Sequence, residues 1–307
     1  MGKTLRRALA YALVRVLMVI AWAVPRSCAL RLFGTAGVLA WRMQREDRTR
    51  TEVNLSLALP ELSRDEVREF AKRVWIDLGR NCVDVLRLPR LTWHDLTDFV
   101  EVQGLGRFEE VLSRGKGVIV VTGHIGSWEL LAAYFSMLGY PLSVIVRPLR
   151  DERFEALVDE LRRSKGMRPI SRIGNVKAAY GCLKKGHILG VLIDQDTSVK
   201  GVFCDFFGIP AYTPAGPAVL ALRAGAPIVP MAIQLQEDGT QLIRIKEPIE
   251  SSGDSGSESD VRSIMQRCTR AIEDFIRYHP TQWVWMHDRW KTMPERSKSY
   301  EKETVST

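Results

Sequence analysis

Gly117-Val-Ile-Val-Val-Thr-Gly-His124-Ile-Gly-Ser-Trp-Glu129 is the stretch that decides the fold. Its first half, Val118-Ile-Val-Val121, is a short, wholly β-branched run with a glycine close on each side. A strand without polar alternation has apolar neighbours on both faces, the pattern of a buried parallel strand. The second half bends at Gly126 and runs into a helix predicted from about Ser127 to Leu138. Strand, histidine-bearing loop and helix in that order form the unit of an open α/β sheet.

The alternation continues outward from this unit. Upstream, residues 63–88 begin with a Ser63-x-x-Glu66 capping box, continue at helical period and stop before Pro89. A helix-like stretch follows Gly104. Downstream, strands are predicted at Leu142–Val146, Ile188–Ile193, Ile228–Leu235 and Gln241–Lys246. Helices are predicted at Asp151–Lys165, Asn175–Lys184, Pro217–Arg223 and Val261–Tyr278. Ser251–Ser259 reads as a Ser/Gly-rich loop, and Trp283-Val-Trp-Met-His287 as an aromatic, strand-like run. The expected fold class is therefore α/β, with a mostly parallel central sheet flanked by helices.

The formal charge of +8 is confined to one end. Residues 1–50 hold ten of the 44 lysines and arginines against two acids, and the remainder is neutral. The same segment carries two apolar runs, Leu5–Trp22 and Cys28–Trp41. A basic excess on an apolar N-terminus suits an anionic bilayer surface, and no nucleic-acid-binding signature accompanies it. A cleaved signal peptide is disfavoured because the first run ends in Pro25-Arg26 without a small-x-small site. Arg15 interrupts that run, so a transmembrane anchor and a pair of helices lying in the interface both stay open. The expected organisation is N-terminal membrane-associating helices over 1–45, an α/β catalytic domain over 46–295 and a polar tail over 296–307.

Five cysteines scattered without CxxC spacing read as reduced thiols, consistent with a cytoplasmic catalytic part. No HExxH or paired-histidine spacing supports a metal site, and no GxSxG elbow points to a serine nucleophile.

His124 stands where an apolar strand ends, where open α/β sheets place their ligand sites. Glu129 falls in the first turn of the next helix, and the bend at Gly126 lets the two side chains converge. A carboxylate on one ring nitrogen sets the tautomer and leaves the other free to take a hydroxyl proton. On this reading His124 is the general base and Glu129 orients it. Backbone N–H groups of Gly126 or Ser127, at a helix N-terminus, are candidate oxyanion donors.

The block from His124 to Glu129 resembles the HX4D/E motif of the glycerolipid-type acyltransferases, in the HX4E form of the lipid A biosynthesis (late lauroyl and myristoyl) acyltransferases. The resemblance extends over most of the chain. Asn54-Leu…Leu59-Pro-Glu61-Leu-Ser, Arg147-Pro148, Gly190-x-x-x-Asp194-Gln195-Asp196, Phe206-Phe-Gly-Ile-Pro210 and Trp285-Met-His287-Asp-Arg289-Trp-Lys291 match further blocks in order. Departures are Leu59 for the usual aromatic, Asp151 for a common asparagine, and the acid Asp288 in the last block.

The resemblance implies a glycerolipid-acyltransferase-like fold at the cytoplasmic face of an inner membrane. It implies direct transfer of an acyl group from acyl carrier protein, as co-substrate and partner, to a hydroxyl of a lipid A precursor, with no cofactor. Arg162 falls where the family carries an active-site arginine. Arg147 and Arg162 would hold phosphate on the acceptor, and Asp194 would orient one of them. Acylation of another glycolipid such as a phosphatidylinositol mannoside from acyl-CoA, hydrolysis to free fatty acid, and an inactive lipid-binding protein are the competing readings.

Overall fold

The computed structural model describes residues 3–250 and 257–294. Most of the expected Ser/Gly loop and the polar tail lie outside the described residues. Seven strands form the main sheet in the order β1-β9-β8-β2-β5-β3-β4. Their bounds are β1 Val100–Gln103, β2 Val118–Thr122, β3 Leu142–Val146, β4 Arg168–Ser171, β5 Ile188–Leu192, β8 Ile228–Leu235 and β9 Gln241–Ile245. Each pairing is parallel except β8–β9.

The β2 strand shows why its sequence carries no alternation. Ile119 and Val121 enter one apolar cluster and Val118 and Val120 another, on opposite faces of the sheet. One face is covered by α7 (Trp128–Met137), which places Leu130, Leu131 and Phe135 in the second cluster. The other is covered by α9 (Val176–Lys184), α10 (Gly216–Ala224) and α11 (Glu258–Tyr278).

One expectation changes, and an unpredicted hairpin appears. The Phe206–Pro210 block is the turn of an antiparallel hairpin, β6 (Gly201–Phe206) with β7 (Ile209–Pro214). The Trp283–His287 run is not a strand. Only Trp283 makes a bridge, to Ile125, and the indoles of Trp283 and Trp285 pack edge-on in the core. Aromatic residues enriched in strands are equally enriched in any buried segment, so the propensity signal reported burial, not pairing.

The N-terminal segment forms α1 (Lys3–Ala23), α2 (Arg26–Met43) and α3 (Arg45–Ala58), followed by α4 (Arg64–Arg87) with the predicted capping box at Ser63 and Glu66. Helices α2 and α4 approach so closely that a Cβ on Gly37 would lie 2.1 Å from the Trp75 carbonyl oxygen, and one on Gly79 2.2 Å from that of Phe33. Arg26 adds a bidentate pair to the fully buried Asp84, at 2.7 Å for both bonds. Among the described residues no helix is long and apolar enough to cross a membrane.

Candidate active site

The site sits at the carboxyl ends of β2 and β5, adjacent strands that are far apart in the chain. The loop after β2 presents His124, and the loop after β5 presents Asp194. The His124 Nδ1 lies 2.9 Å from Asp194 Oδ1, and the His124 backbone N–H donates to Asp194 Oδ2 at 2.7 Å. Trp283 Nε1 donates to the same Oδ2 at 2.7 Å. Gly123 is what lets the acid come this near, since a Cβ there would meet Oδ2 at 3.0 Å and Cγ at 3.1 Å.

Electrostatics follow from these contacts. Burial pushes the Asp194 carboxyl up, but the His124 ring, its backbone N–H and the Trp283 indole outweigh it and hold the carboxyl at about 2. Burial pulls His124 down, and the carboxylates of Asp194 and, more weakly, Glu129 reverse this, so its pKa is raised above 6.5. With Asp194 ionised, Nδ1 carries the proton and donates to it, and Nε2 is left as the basic nitrogen. The side chain is 23% exposed, so a substrate can reach it.

The carboxylate hydrogen-bonded to His124 is therefore Asp194, not Glu129. Both oxygens of Glu129 are taken by Arg162 on α8 (Glu152–Arg163), with Nε donating at 3.0 Å and Nη2 at 2.6 Å. The five-residue spacing placed Glu129 near the ring, as its field on His124 indicates, but the fork geometry of Arg162 makes the better partner for a carboxylate. The expectation that Asp194 orients an arginine is corrected by the same pairs. Arg162 is held by Glu129 through Nε and Nη2, and its Nη1 lies 3.9 Å from Asp159 Oδ1, so it stands against two acids.

Gly126 is also reassigned. Its φ of 56° is left-handed, and a Cβ would lie 2.1 Å from the Ile233 carbonyl oxygen. Its N–H donates to the Gln282 carbonyl at 2.8 Å, so it is not available to an oxyanion. Ser127 remains as the backbone donor of that pair, at the start of α7 and buried.

The C-terminal segment braces this loop in ways that no local pattern announced. Val284 N–H donates to the His124 carbonyl at 3.2 Å, beside the Ile125–Trp283 bridge. Asn54 Nδ2 donates to the carbonyls of Trp285 and His287 at 2.7 and 2.8 Å. Arg289 is buried, with Nη2 donating to Thr213 at 2.6 Å. His287 accepts from the Asp196 N–H at 3.2 Å, a structural role. An apolar pocket opens next to the site between α7 and strands β2, β5 and β3. Glu129 and Arg162 form its polar wall, with Val120, Ala132, Phe135 and Val144 deeper in.

A histidine held by a buried acid, next to an apolar pocket, is equipped to activate a hydroxyl on one substrate against a carbonyl on another. Comparison with known proteins agrees over nearly the whole chain, since residues 2–292 match the model of the bacterial lipid A biosynthesis acyltransferases. The chain belongs to that family. It is an acyltransferase. Among its relatives, the lipid A biosynthesis lauroyltransferase of Escherichia coli is 28% identical over 89% of this chain and 88% of that one. The phosphatidylinositol mannoside acyltransferase of Mycolicibacterium smegmatis is 23% identical over 87% of each. The lipid A biosynthesis myristoyltransferase of Escherichia coli is 24% identical over 83% of this chain and 79% of that one.

Proposed function

We propose that the acyltransferase carries out a late, secondary acylation, moving a fatty acyl chain from acyl carrier protein to a hydroxyl of a lipid A precursor. The observation that carries the chemistry is the His124–Asp194 pair, with Nε2 left basic and the His124 ring packed against Trp128, which lines the neighbouring apolar pocket. Nε2 takes the hydroxyl proton as the oxygen attacks the thioester carbonyl. The tetrahedral oxyanion is met by the Ser127 N–H. On its collapse the C–S bond breaks, the C–O ester bond stands, and the imidazolium returns its proton to the leaving thiolate. The acyl chain lies in the apolar pocket, and the Glu129–Arg162 pair fixes the start of α7 and the pocket wall. No cofactor enters this scheme.

The protein acts at the cytoplasmic face of the inner membrane, lying on the bilayer and not spanning it. Leu5, Leu9, Leu13, Val16 and Val19 are exposed along one stripe of α1, and Leu32, Leu39 and Met43 are exposed on α2. Exposed arginines, among them Arg6, Arg15 and Arg42, flank them. An apolar stripe rimmed by cations seats a helix in the headgroup region. Co-flotation with vesicles containing phosphatidylglycerol checks this. Binding lost in Leu9→Glu/Leu13→Glu supports it, and equal binding by that variant refutes it.

The relatives divide between lipid A enzymes and phosphatidylinositol mannoside enzymes, so the second reading is acyl transfer from acyl-CoA to such a mannoside. The deciding experiment supplies the purified protein with radiolabelled lauroyl- and myristoyl-acyl carrier protein and a tetra-acylated lipid A precursor. Parallel reactions contain acyl-CoA and a phosphatidylinositol mannoside. Labelled lipid A that disappears in His124→Ala supports the first reading. Product only from acyl-CoA moves the assignment to the mannoside, and full activity in His124→Ala ends the mechanism.

A further inference from the structure

With Arg162 committed to Glu129, the site still holds two guanidiniums with no acid against them. Arg147 follows β3 and Arg172 follows β4, the last two strands at this edge of the sheet. The strands pair in parallel with Val146 opposite Ser171, and the Arg172 N–H donates to the Val146 carbonyl at 2.9 Å. Residues at paired positions of parallel strands face the same way, so both arginines leave the sheet side by side. Arg172 Nη1 reaches Thr197 Oγ1 at 3.4 Å, which ties it to the loop that carries Asp194.

Neither arginine has a carboxylate within ion-pair distance among the described residues. The acids in the flanking loops are engaged elsewhere. Asp151 takes Arg153 at 2.8 Å, Glu155 accepts from the Leu149 N–H at 2.6 Å, and Asp196 accepts from the Thr292 N–H at 2.9 Å. Arg172 Nε is buried without a hydrogen-bond partner. Burial, and after it the nearby Arg147 charge, push the Arg172 pKa down. A buried Arg172 Nε–H left unpaired, beside the exposed guanidinium of Arg147, fits a dianion.

We propose that Arg147 and Arg172 form a phosphate-binding subsite that positions a phosphate ester carried by one of the two substrates of His124. Strands lie about 4.8 Å apart, and β3 and β4 are two and three strands from β2, so the subsite stands roughly 10–14 Å from the reacting centre. That span suits a phosphate on the acceptor's headgroup or on the phosphopantetheine arm of an acyl carrier. The source rests on the acyl-transfer reading above, whereas the anion site stands apart from it.

The test uses the full chain in detergent micelles and the variants Arg172→Gln, Arg147→Gln and Arg172→Lys. Inorganic phosphate, titrated at constant ionic strength with acetate as control, raises the thermal midpoint of the wild type by mass action and not that of Arg172→Gln. In transfer assays each Gln variant raises one substrate's KM by about tenfold or more while kcat stays within about threefold, and Arg172→Lys recovers part of the loss. If the loss vanishes with a dephosphorylated acceptor, the phosphate is the acceptor's. If it vanishes with an acyl-N-acetylcysteamine thioester, it is the donor's. No phosphate effect on the wild type, together with unchanged KM values for both substrates in the variants, overturns the subsite. Absence of acyl transfer in the wild type would refute the proposed function alone, and the phosphate titration would still decide the subsite.

Discussion

His124 and Asp194 are 70 residues apart in the chain, yet the ring nitrogen of one is 2.9 Å from the carboxylate of the other. The contact exists because β5 lies directly beside β2, with Val121 opposite Val191 and Thr122 opposite Leu192. Both strands end at the same level, and the loops that follow them meet.

Asp194→Asn removes the charge that raises the His124 pKa and frees the other tautomer. We expect kcat to fall by about 10²–10⁴-fold with the fold retained. In the wild type, kcat/KM falls on acidification through a pKa above 6.5, because the base must be neutral. In the variant that limb moves to lower pH, since burial is then opposed only by the weaker field of Glu129. A pH–rate profile of both proteins checks the direction. The stability linkage of Asp194 also runs toward loss on acidification, but at much lower pH. The Asp194 pKa is depressed from 3.8 to about 2, so its contribution is complete above 3.8 and is lost as pH falls through about 2. Denaturant midpoints between pH 5 and 2 should fall more steeply for the wild type than for Asp194→Asn.

Glu129 and Arg162 form one half-buried bidentate unit, so their substitutions should not add. Glu129→Gln and Arg162→Gln each lower activity and stability, and the double variant is little worse than the more damaging single one. A double-mutant cycle on unfolding free energy should give a coupling of roughly 0.5–3 kcal/mol. Additive effects would mean that Glu129 acts directly on His124.

Gly126→Ala places a Cβ against the Ile233 carbonyl oxygen in a left-handed backbone. Clash and strain together should cost on the order of 2–4 kcal/mol, read as a lowered denaturation midpoint with little soluble protein. Gly123→Ala differs in kind. The three atoms nearest its Cβ all belong to the Asp194 side chain, so activity should drop while the unfolding free energy changes by no more than about 1 kcal/mol.

Ala132 lies in the pocket wall on α7, next to Leu131 and opposite Val144 of β3. Ala132→Phe should shorten the slot. Transfer from myristoyl donors is expected to fall relative to that from decanoyl donors by about tenfold or more, a discrimination of the size that a few methylenes supply in an apolar pocket. Competition between acyl donors of different length, analysed by mass spectrometry of the product, reads this ratio directly.

Much of the architecture was legible in the sequence. The unalternating Val118–Val121 run marked a doubly covered strand, the Ser63 and Glu66 box marked the start of α4, and His124 at a strand end marked the site. These features are local, because period and capping act within a few residues. The hairpin of β6 and β7 was hidden because Val202-Phe-Cys204 is apolar at every position, although only Val202, Cys204 and Phe206 of β6 are buried.

The partners of the side chains were decided only by tertiary structure. Spacing alone made Glu129 the nearest carboxylate to His124. Strand order then brought Asp194 closer and gave Glu129 to Arg162, and it set Arg172 beside Arg147. Strand order depends on which apolar faces bury one another across crossovers of dozens of residues, and no window of local sequence encodes that. The sequence by itself determined most of the elements and where His124 stands; the packing of β5 against β2 decided which acid holds it.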